Sequence, residues 1–270
     1  MPRSQQHLLS WIEREVLRAA PLALRYFRSA ALKVERKPDR SPVTAADRAI
    51  EERLRCAIER ICPGEAILGE EFGRSGRAGS DYWTVDPIDG TRAFSRGLPS
   101  WGIMVGRVEH GQATLGLCHF PAIGVTVGVA PGVRAYERRG GAAAALPRPK
   151  PVRSLADAVI FHGGSRWWQR TPYARGFALL ARGCYLERAY GDCYGYLWAL
   201  RGGADAVIDC GVKPWDLVPF AALARATGRA LTNFSGRASF TGPDTVMAHP
   251  SFARLIVKML QTGSQAEVKR

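Results

Sequence analysis

A mixed α/β fold built as two layered halves is what the sequence predicts, and three observations predict it. Apolar residues recur at helical spacing in some segments and form short strand-like runs in others. An Ala/Gly/Pro-rich stretch, Gly140 to Pro149, interrupts the pattern near the middle of the chain. Beyond it, strands alternate with helices instead of pairing through hairpins. The halves are expected at residues 1–145 and 146–270, the second closing a cleft over the first.

Leu8, Leu9, Ile12, Val16 and Leu17 predict a first helix that Pro21 kinks or ends. Lys37 to Pro42 reads as a loop. Thr44 opens a second helix with Ile50, Leu54, Ile58 and Ile61 on one face, stopped by Pro63-Gly64. Strands are expected at Ala66–Leu68 and Tyr82–Val85, and a short helix at Thr91–Ser95. Gly102–Val108 and Ala113–Phe120 flank a hairpin turn, with a further strand at Val125–Val129. The second half predicts strands at Ala158–Phe161, Ala206–Asp209 and Val246–Ala248. Its helices are expected at Tyr173–Leu180, Cys193–Leu200, Leu217–Ala226 and Phe252–Leu260.

Composition excludes several classes. The chain has 270 residues, 46% hydrophobic and 23% charged, the balance of a globular protein. No run approaches the ~18 apolar residues of a membrane span. Glu13, Arg14, Glu15 and Arg18 break the only candidate signal-peptide core. A soluble, cytoplasmic protein with no membrane partner is expected. The 38 basic and 24 acidic residues leave +14, but only six of the basic residues are Lys and the Arg are scattered. That reads as composition, not as a nucleic-acid surface. Cysteines 56, 62, 118, 184, 193 and 210 form no Cys-x-x-Cys, and Cys118-His119 would point to opposite faces of a strand. They are read as core thiols of a reducing compartment.

The chemistry lies in carboxylates. In Trp83-Thr-Val-Asp86-Pro-Ile-Asp89-Gly-Thr91, a strand runs into Asp86 and Pro87 is expected to turn the chain so that Asp89 returns to it. Two such carboxylates repel unless a cation sits between them, and oxygen ligands select Mg²⁺ or Mn²⁺. Gly90 and Thr91 then offer backbone N–H groups to a phosphate. Glu70-Glu71 follows an apolar strand, and Asp216 opens an apolar helix, where plain N-capping is the alternative. The five histidines fall outside these motifs, which disfavours a histidine phosphatase mechanism.

Gly69-Glu70-Glu71, Asp86-Pro-Ile-Asp89-Gly-Thr91 and Trp215-Asp216, in this order, resemble the inositol monophosphatase superfamily of metal-dependent phosphatases. Lys37-x-Asp39-x-Ser41-Pro-Val-Thr44-x-x-Asp47 and Arg201-Gly-Gly-Ala-Asp205 extend the likeness. It implies a layered α/β sandwich, a homodimer, and Mg²⁺ as cofactor, with two or three ions per site. By the resemblance, Glu70, Asp86 and the Ile88 carbonyl hold one ion; Asp86, Asp89 and Asp216 hold another; a third lies near Glu70. Glu70 and Thr91 would orient the attacking water, with Asp47 bonded to the Thr91 hydroxyl. For Thr44-x-x-Asp47 a helix capping box is the competing reading.

Gly191-Asp192-Cys-Tyr-Gly, Gly69-Glu-Glu-Phe-Gly and Phe94 to Gly102 resemble the histidinol-phosphatase branch, so histidinol phosphate is the expected substrate and inositol 1-phosphate the alternative. Arg188, Asp192 and Asp209 are the candidates to meet the leaving alcohol, with Asp192 equally readable as an N-cap. Where the family carries a second glycine and an aspartate after its last motif, this chain has Arg229 and Asn233, which puts local packing in question.

Overall fold

A computed structural model describes residues 4–29, 32–36, 42–77 and 79–264. The loop expected from Lys37, and the Lys37, Asp39 and Ser41 part of the N-terminal motif, lie outside the described residues. The chain divides into two compact units, Met1–Ala145 with Val218–Leu223, and Leu146–Leu217 with Ala224–Arg270.

The first unit opens with α1 (Gln5–Tyr26), the hairpin β1 (Val34–Arg36) and β2 (Pro42–Thr44), and α2 (Ala45–Ile61). Then come β3 (Ala66–Gly69), β4 (Gly73–Ser75), β5 (Tyr82–Asp89), α3 (Thr91–Ser95), β6 (Gly102–Glu109) and β7 (Gln112–Phe120). The strands β8 (Val125–Ala130), β9 (Val133–Arg139) and β10 (Ala142–Ala145) complete it. Eight strands form one sheet in the order β10-β9-β8-β7-β6-β5-β3-β4, antiparallel except for the β3–β5 pair. Helices α1 and α2 cover one face. Ile12, Val16, Ile50, Leu54 and Ile58 pack there with Trp83, Val85, Val105 and Leu117. Each fully buried aliphatic side chain contributes ~1.5–3 kcal/mol.

Pro21 does not end α1, which continues to Tyr26. Buried Ala19, Ala20 and Ala23 hold the helix to the core on both sides of the proline. Strand β10 lies inside the stretch expected to be a linker, because Gly140 and Gly141, at φ 59° and 117°, close a tight hairpin with β9.

The second unit holds β11 (Val159–His162), α4 (Ser165–Trp168), α5 (Ala174–Gly183), β12 (Leu186–Arg188), α6 (Asp192–Arg201) and β13 (Ala206–Cys210). It continues with α7 (Pro214–Thr227), whose middle belongs to the first unit, then β14 (Ala230–Thr232), β15 (Asp244–Ala248) and α8 (Pro250–Ser264). The five strands run β12-β11-β13-β15-β14. Ile160, Ala206, Ile208 and Val246 meet Leu180 of α5 and Ile256 and Leu260 of α8. Val207 alternates with Ala206 and Ile208, so it faces the other way, toward α6 at Gly195.

Arg229 resolves the packing question. It is buried and donates to the carbonyls of Pro147 at 2.9 Å, Ala199 at 2.8 Å and Leu200 at 3.2 Å. Burial pulls its guanidinium down to about 10. Asn233 Oδ1 accepts from Ser235 N, the Ser235 hydroxyl and Arg237 N, shaping its loop without a charge.

Candidate metal centre

Strand β5 is buried along most of its length, and it does not turn at Pro87 as expected. It runs on to Asp89 through a β-bulge. Asp86 pairs with Met104 and Asp89 with Gly102, so two β5 residues lie opposite one β6 residue. Proline fits there because it has no N–H to give to the ladder. In a regular strand, residues three apart point to opposite faces; the extra residue restores Asp86 and Asp89 to one side. The Asp86 carboxylate closes the bulge by accepting Ile88 N at 3.1 Å. Gly90 follows at φ 82° as the N-cap of α3, where a Cβ would lie 2.7 Å from the Ser100 carbonyl oxygen. The Thr91 hydroxyl donates to the Ile88 carbonyl at 2.9 Å.

Asp216 reaches the same place from α7. Lys213 is the N-cap and Asp216 the third helical residue, accepting Lys213 N at 2.7 Å. Asp216 is therefore not the plain N-cap of the alternative reading but a capping residue from the third helical position. A carboxylate has about four lone-pair sites, so one capping bond does not exhaust it. The next turn of α7 is seated within the first unit on a row of small residues. A Cβ on Gly106 would meet Val218 Cγ1 at 2.6 Å, and one on Gly116 the Pro219 oxygen at 2.1 Å. Asp86, Asp89 and Asp216 consequently offer carboxylate oxygens that all lie within 4.8 Å of one another. Three such groups repel one another in a half-buried place, and an all-oxygen set of this size suits a hard divalent cation.

Glu70 stands outside that trio. Among the described residues it joins no group of three or more acidic, His or Cys ligands within the same span. It follows β3 directly, and its N–H donates to the Val85 carbonyl at 3.2 Å, so it continues the parallel ladder beside Asp86. Asp47, in the first turn of α2, is fully buried. Its Oδ2 accepts Thr44 N at 2.8 Å and the Thr44 hydroxyl at 2.5 Å, which makes the capping box. The bond from Asp47 to Thr91 is not made; Thr91 turns to Ile88 instead. Burial pushes the Asp47 carboxyl up to about 6, the Thr44 bonds oppose this, and the charge of Glu70 adds to it.

Of the remaining candidates, Arg188 is exposed at the end of β12 and donates to the Glu187 carbonyl at 2.7 Å. Asp192 is the first residue of α6, not its N-cap, and adopts φ 55°; the N-cap is Gly191. Asp209 is buried against Gly163 and Gly191, where a Cβ on either would come within 3.3 Å of its carboxylate. It accepts Cys210 N at 2.8 Å and also the amide of Asp192. Burial, then the fields of Asp192 and Asp216, pushes its carboxyl up to about 8. Glu51, a fully buried carboxylate of α2, is singled out by nothing in the sequence but its charge on the apolar stripe beside Ile50 and Leu54.

An acidic trio held by a bulged strand and a helix start could hold a divalent cation, and the likeness to known proteins says which class of enzyme it belongs to: a phosphoric monoester hydrolase. The sequence model of the inositol monophosphatase family matches residues 4–265, and the chain belongs to that family. It is 32% identical over 246 residues to a histidinol-phosphatase of Mycobacterium tuberculosis, covering 91% of this chain and 95% of the relative. A histidinol-phosphatase of Streptomyces coelicolor is 32% identical over 238 residues, covering 87% and 88%. The fold matches an IMPase structure from Thermotoga maritima with a TM-score of 0.81 at 22% identity, covering 96% of this chain and 99% of that one.

Proposed function

We propose that this phosphatase hydrolyses histidinol phosphate. The observation that carries this reading is the likeness, at 32% identity over most of both chains, to relatives named histidinol-phosphatases, and the nearby carboxylates Asp192 and Asp209 are compatible with it. A leaving alcohol that bears an ammonium or imidazole would offset those charges, and a cation there would favour the ionised form of Asp209. Arg188 is read as a further contact.

The residues read as holding Mg²⁺, or Mn²⁺ in its place, are Asp86, Asp89 and Asp216, with Glu70 and the Ile88 carbonyl completing a second position. Bound ions would supply charge neutralisation for the phosphate and the leaving oxygen. Glu70 and Thr91 are assigned to orient the attacking water. The backbone N–H groups of Gly90 and Thr91 are assigned to the phosphate oxygens. Asp47 keeps its capping bonds and acts on Glu70 through charge. In this reading the segment 1–145 brings most metal ligands, and 146–270 brings Asp216 and the substrate contacts. The reading includes a homodimer in the cytoplasm, and six free cysteines fit a reducing compartment.

The test is phosphate release with Mg²⁺ from histidinol phosphate, inositol 1-phosphate, fructose 1,6-bisphosphate and adenosine 3′,5′-bisphosphate. The highest kcat/KM is expected with histidinol phosphate. A higher value with any other ester removes the substrate assignment.

A further inference from the structure

Helix α2 carries Asp47, Glu51 and Arg55 four residues apart, which places them on one stripe. The Glu51 side chain is fully buried, and the Arg55 side chain is 14% exposed. A buried carboxylate persists only where bonds compensate its lost hydration, and those of Glu51 come from the turn that follows β3. Its Oε2 accepts Glu71 N at 2.7 Å; its Oε1 accepts Phe72 N at 3.2 Å and Arg55 Nε at 2.8 Å. Arg55 reaches onward, donating to the Gly73 carbonyl and, at 2.7 Å, to the Ser75 hydroxyl. A Cβ on Gly69 would lie 2.0 Å from Glu51 Oε1, so only glycine lets the carboxylate in.

The turn from Gly69 to Ser75 is thus fastened to α2 by one carboxylate and one guanidinium. Glu70 is pinned from both sides, its own N–H on Val85 and the next N–H on Glu51. Without Glu51, two adjacent inward N–H groups would lose their acceptor and the turn would relax. We infer that Glu51 is a positioning residue for the cation site, holding the backbone that carries Glu70 beside Asp86. The inference rests on the reading of Glu70 as an ion ligand.

The test is Mn²⁺ binding to the whole protein without substrate, by calorimetry, together with Mg²⁺ activation. Glu51→Gln keeps the shape but puts an NH₂ where an acceptor is needed. It should weaken Mn²⁺ affinity about tenfold, in the range for removing a group that orients a ligand, while kcat at saturating Mg²⁺ changes little. Glu65→Gln is the comparison, since Glu65 bonds Trp83 Nε1 and Arg107 at the start of β3 and should leave Mn²⁺ affinity unchanged. Gly69→Ala displaces the Glu51 carboxylate without altering it and should reproduce the weakening, which covers the case in which Glu51→Gln does not fold. Unchanged affinity in Glu51→Gln or Gly69→Ala, or an equal loss in Glu65→Gln, overturns the inference. No Mn²⁺ uptake by the wild-type protein overturns the ion site itself, and the inference with it.

Discussion

Gly106 and Gly116 are paired across β6 and β7, and together they form the seat for the first turns of α7. Val218 rests against one and Pro219 against the other, on the sheet face opposite Val105 and Leu117. Two absent methyl groups are what let this turn of α7 lie against the sheet. Gly116→Ala should therefore cost about 1–3 kcal/mol by overpacking and weaken Mn²⁺ binding. Gly79→Ala, with nothing within 4 Å of the new carbon and no left-handed backbone to strain, should leave Mn²⁺ binding alone. Urea unfolding and calorimetry on both variants decide it; equal Mn²⁺ affinities would remove the seat from the explanation.

Asp89→Asn should lower turnover by about a hundredfold or more, as expected when a charge-stabilising group at the reacting centre is lost. Chelation with EDTA should do the same to the wild type, reversibly on adding Mg²⁺. Because the three carboxylates repel, the metal-free variant should melt no lower than the metal-free wild type. Mg²⁺ at a hundred times Kd should stabilise the wild type by roughly 2.7 kcal/mol and the variant hardly at all. Calorimetric melting with and without Mg²⁺ separates these outcomes, and an equal gain for both would count against the trio.

Asp209 combines a structural and a proposed substrate role, which pH can separate. Its carboxyl is raised to about 8 by burial and by Asp192 and Asp216. A raised acid contributes stability that is full below its unfolded value, ~4, and is lost as pH rises through the folded one. Asp209→Asn has no such loss, so the variant should gain on the wild type between pH 5 and pH 9. Its KM for a cationic ester should rise while kcat holds. Parallel stability curves would contradict the burial argument; an unchanged KM would contradict the substrate role.

His119 gives the opposite sign. It is buried on β7, its Nδ1 2.9 Å from the Thr126 hydroxyl on β8, and burial lowers it to about 4. A lowered base stays neutral in the fold, so its contribution is complete above ~6.5 and disappears as pH falls toward 4, by about 3 kcal/mol at most. Denaturant midpoints of His119→Gln should fall less steeply than those of the wild type in that window and run parallel to them above about pH 7. A variant that tracks the wild type down to pH 4 would dismiss the claim.

The acidic candidates were legible because Glu70 follows a strand, Asp89 ends one and Asp216 stands in the first turn of a helix, and because their motifs, with Asp86, carry the resemblance to the family. The long elements were legible too: the apolar stripes of α1, α2, α7 and α8 repeat often enough to outweigh a proline such as Pro21. The three-residue strands β1, β2, β4, β12 and β14 are too short to show alternation. Strand β9 was hidden because Arg134 to Arg139 reads as surface charge when its pairing with β8 is unknown. Register is likewise invisible in a sequence, which is why a turn was expected at Pro87 in place of a bulge. Glu51 escaped for a related reason: its partners are backbone N–H groups about twenty positions away, and amide donors leave no trace in residue identity.

The bulge in β5 also makes this segment sensitive to length in a way it is not to spelling. Replacing Pro87 or Ile88 by another residue can leave the two-against-one count intact. Deleting either would restore a regular ladder in which the two aspartates, then two apart, still share a side, but it would remove the bulge that the Asp86 carboxylate closes on Ile88 N. A one-residue deletion here therefore separates the two things the bulge does, since it keeps the shared side of the carboxylates while abolishing the local bend and its hydrogen bond.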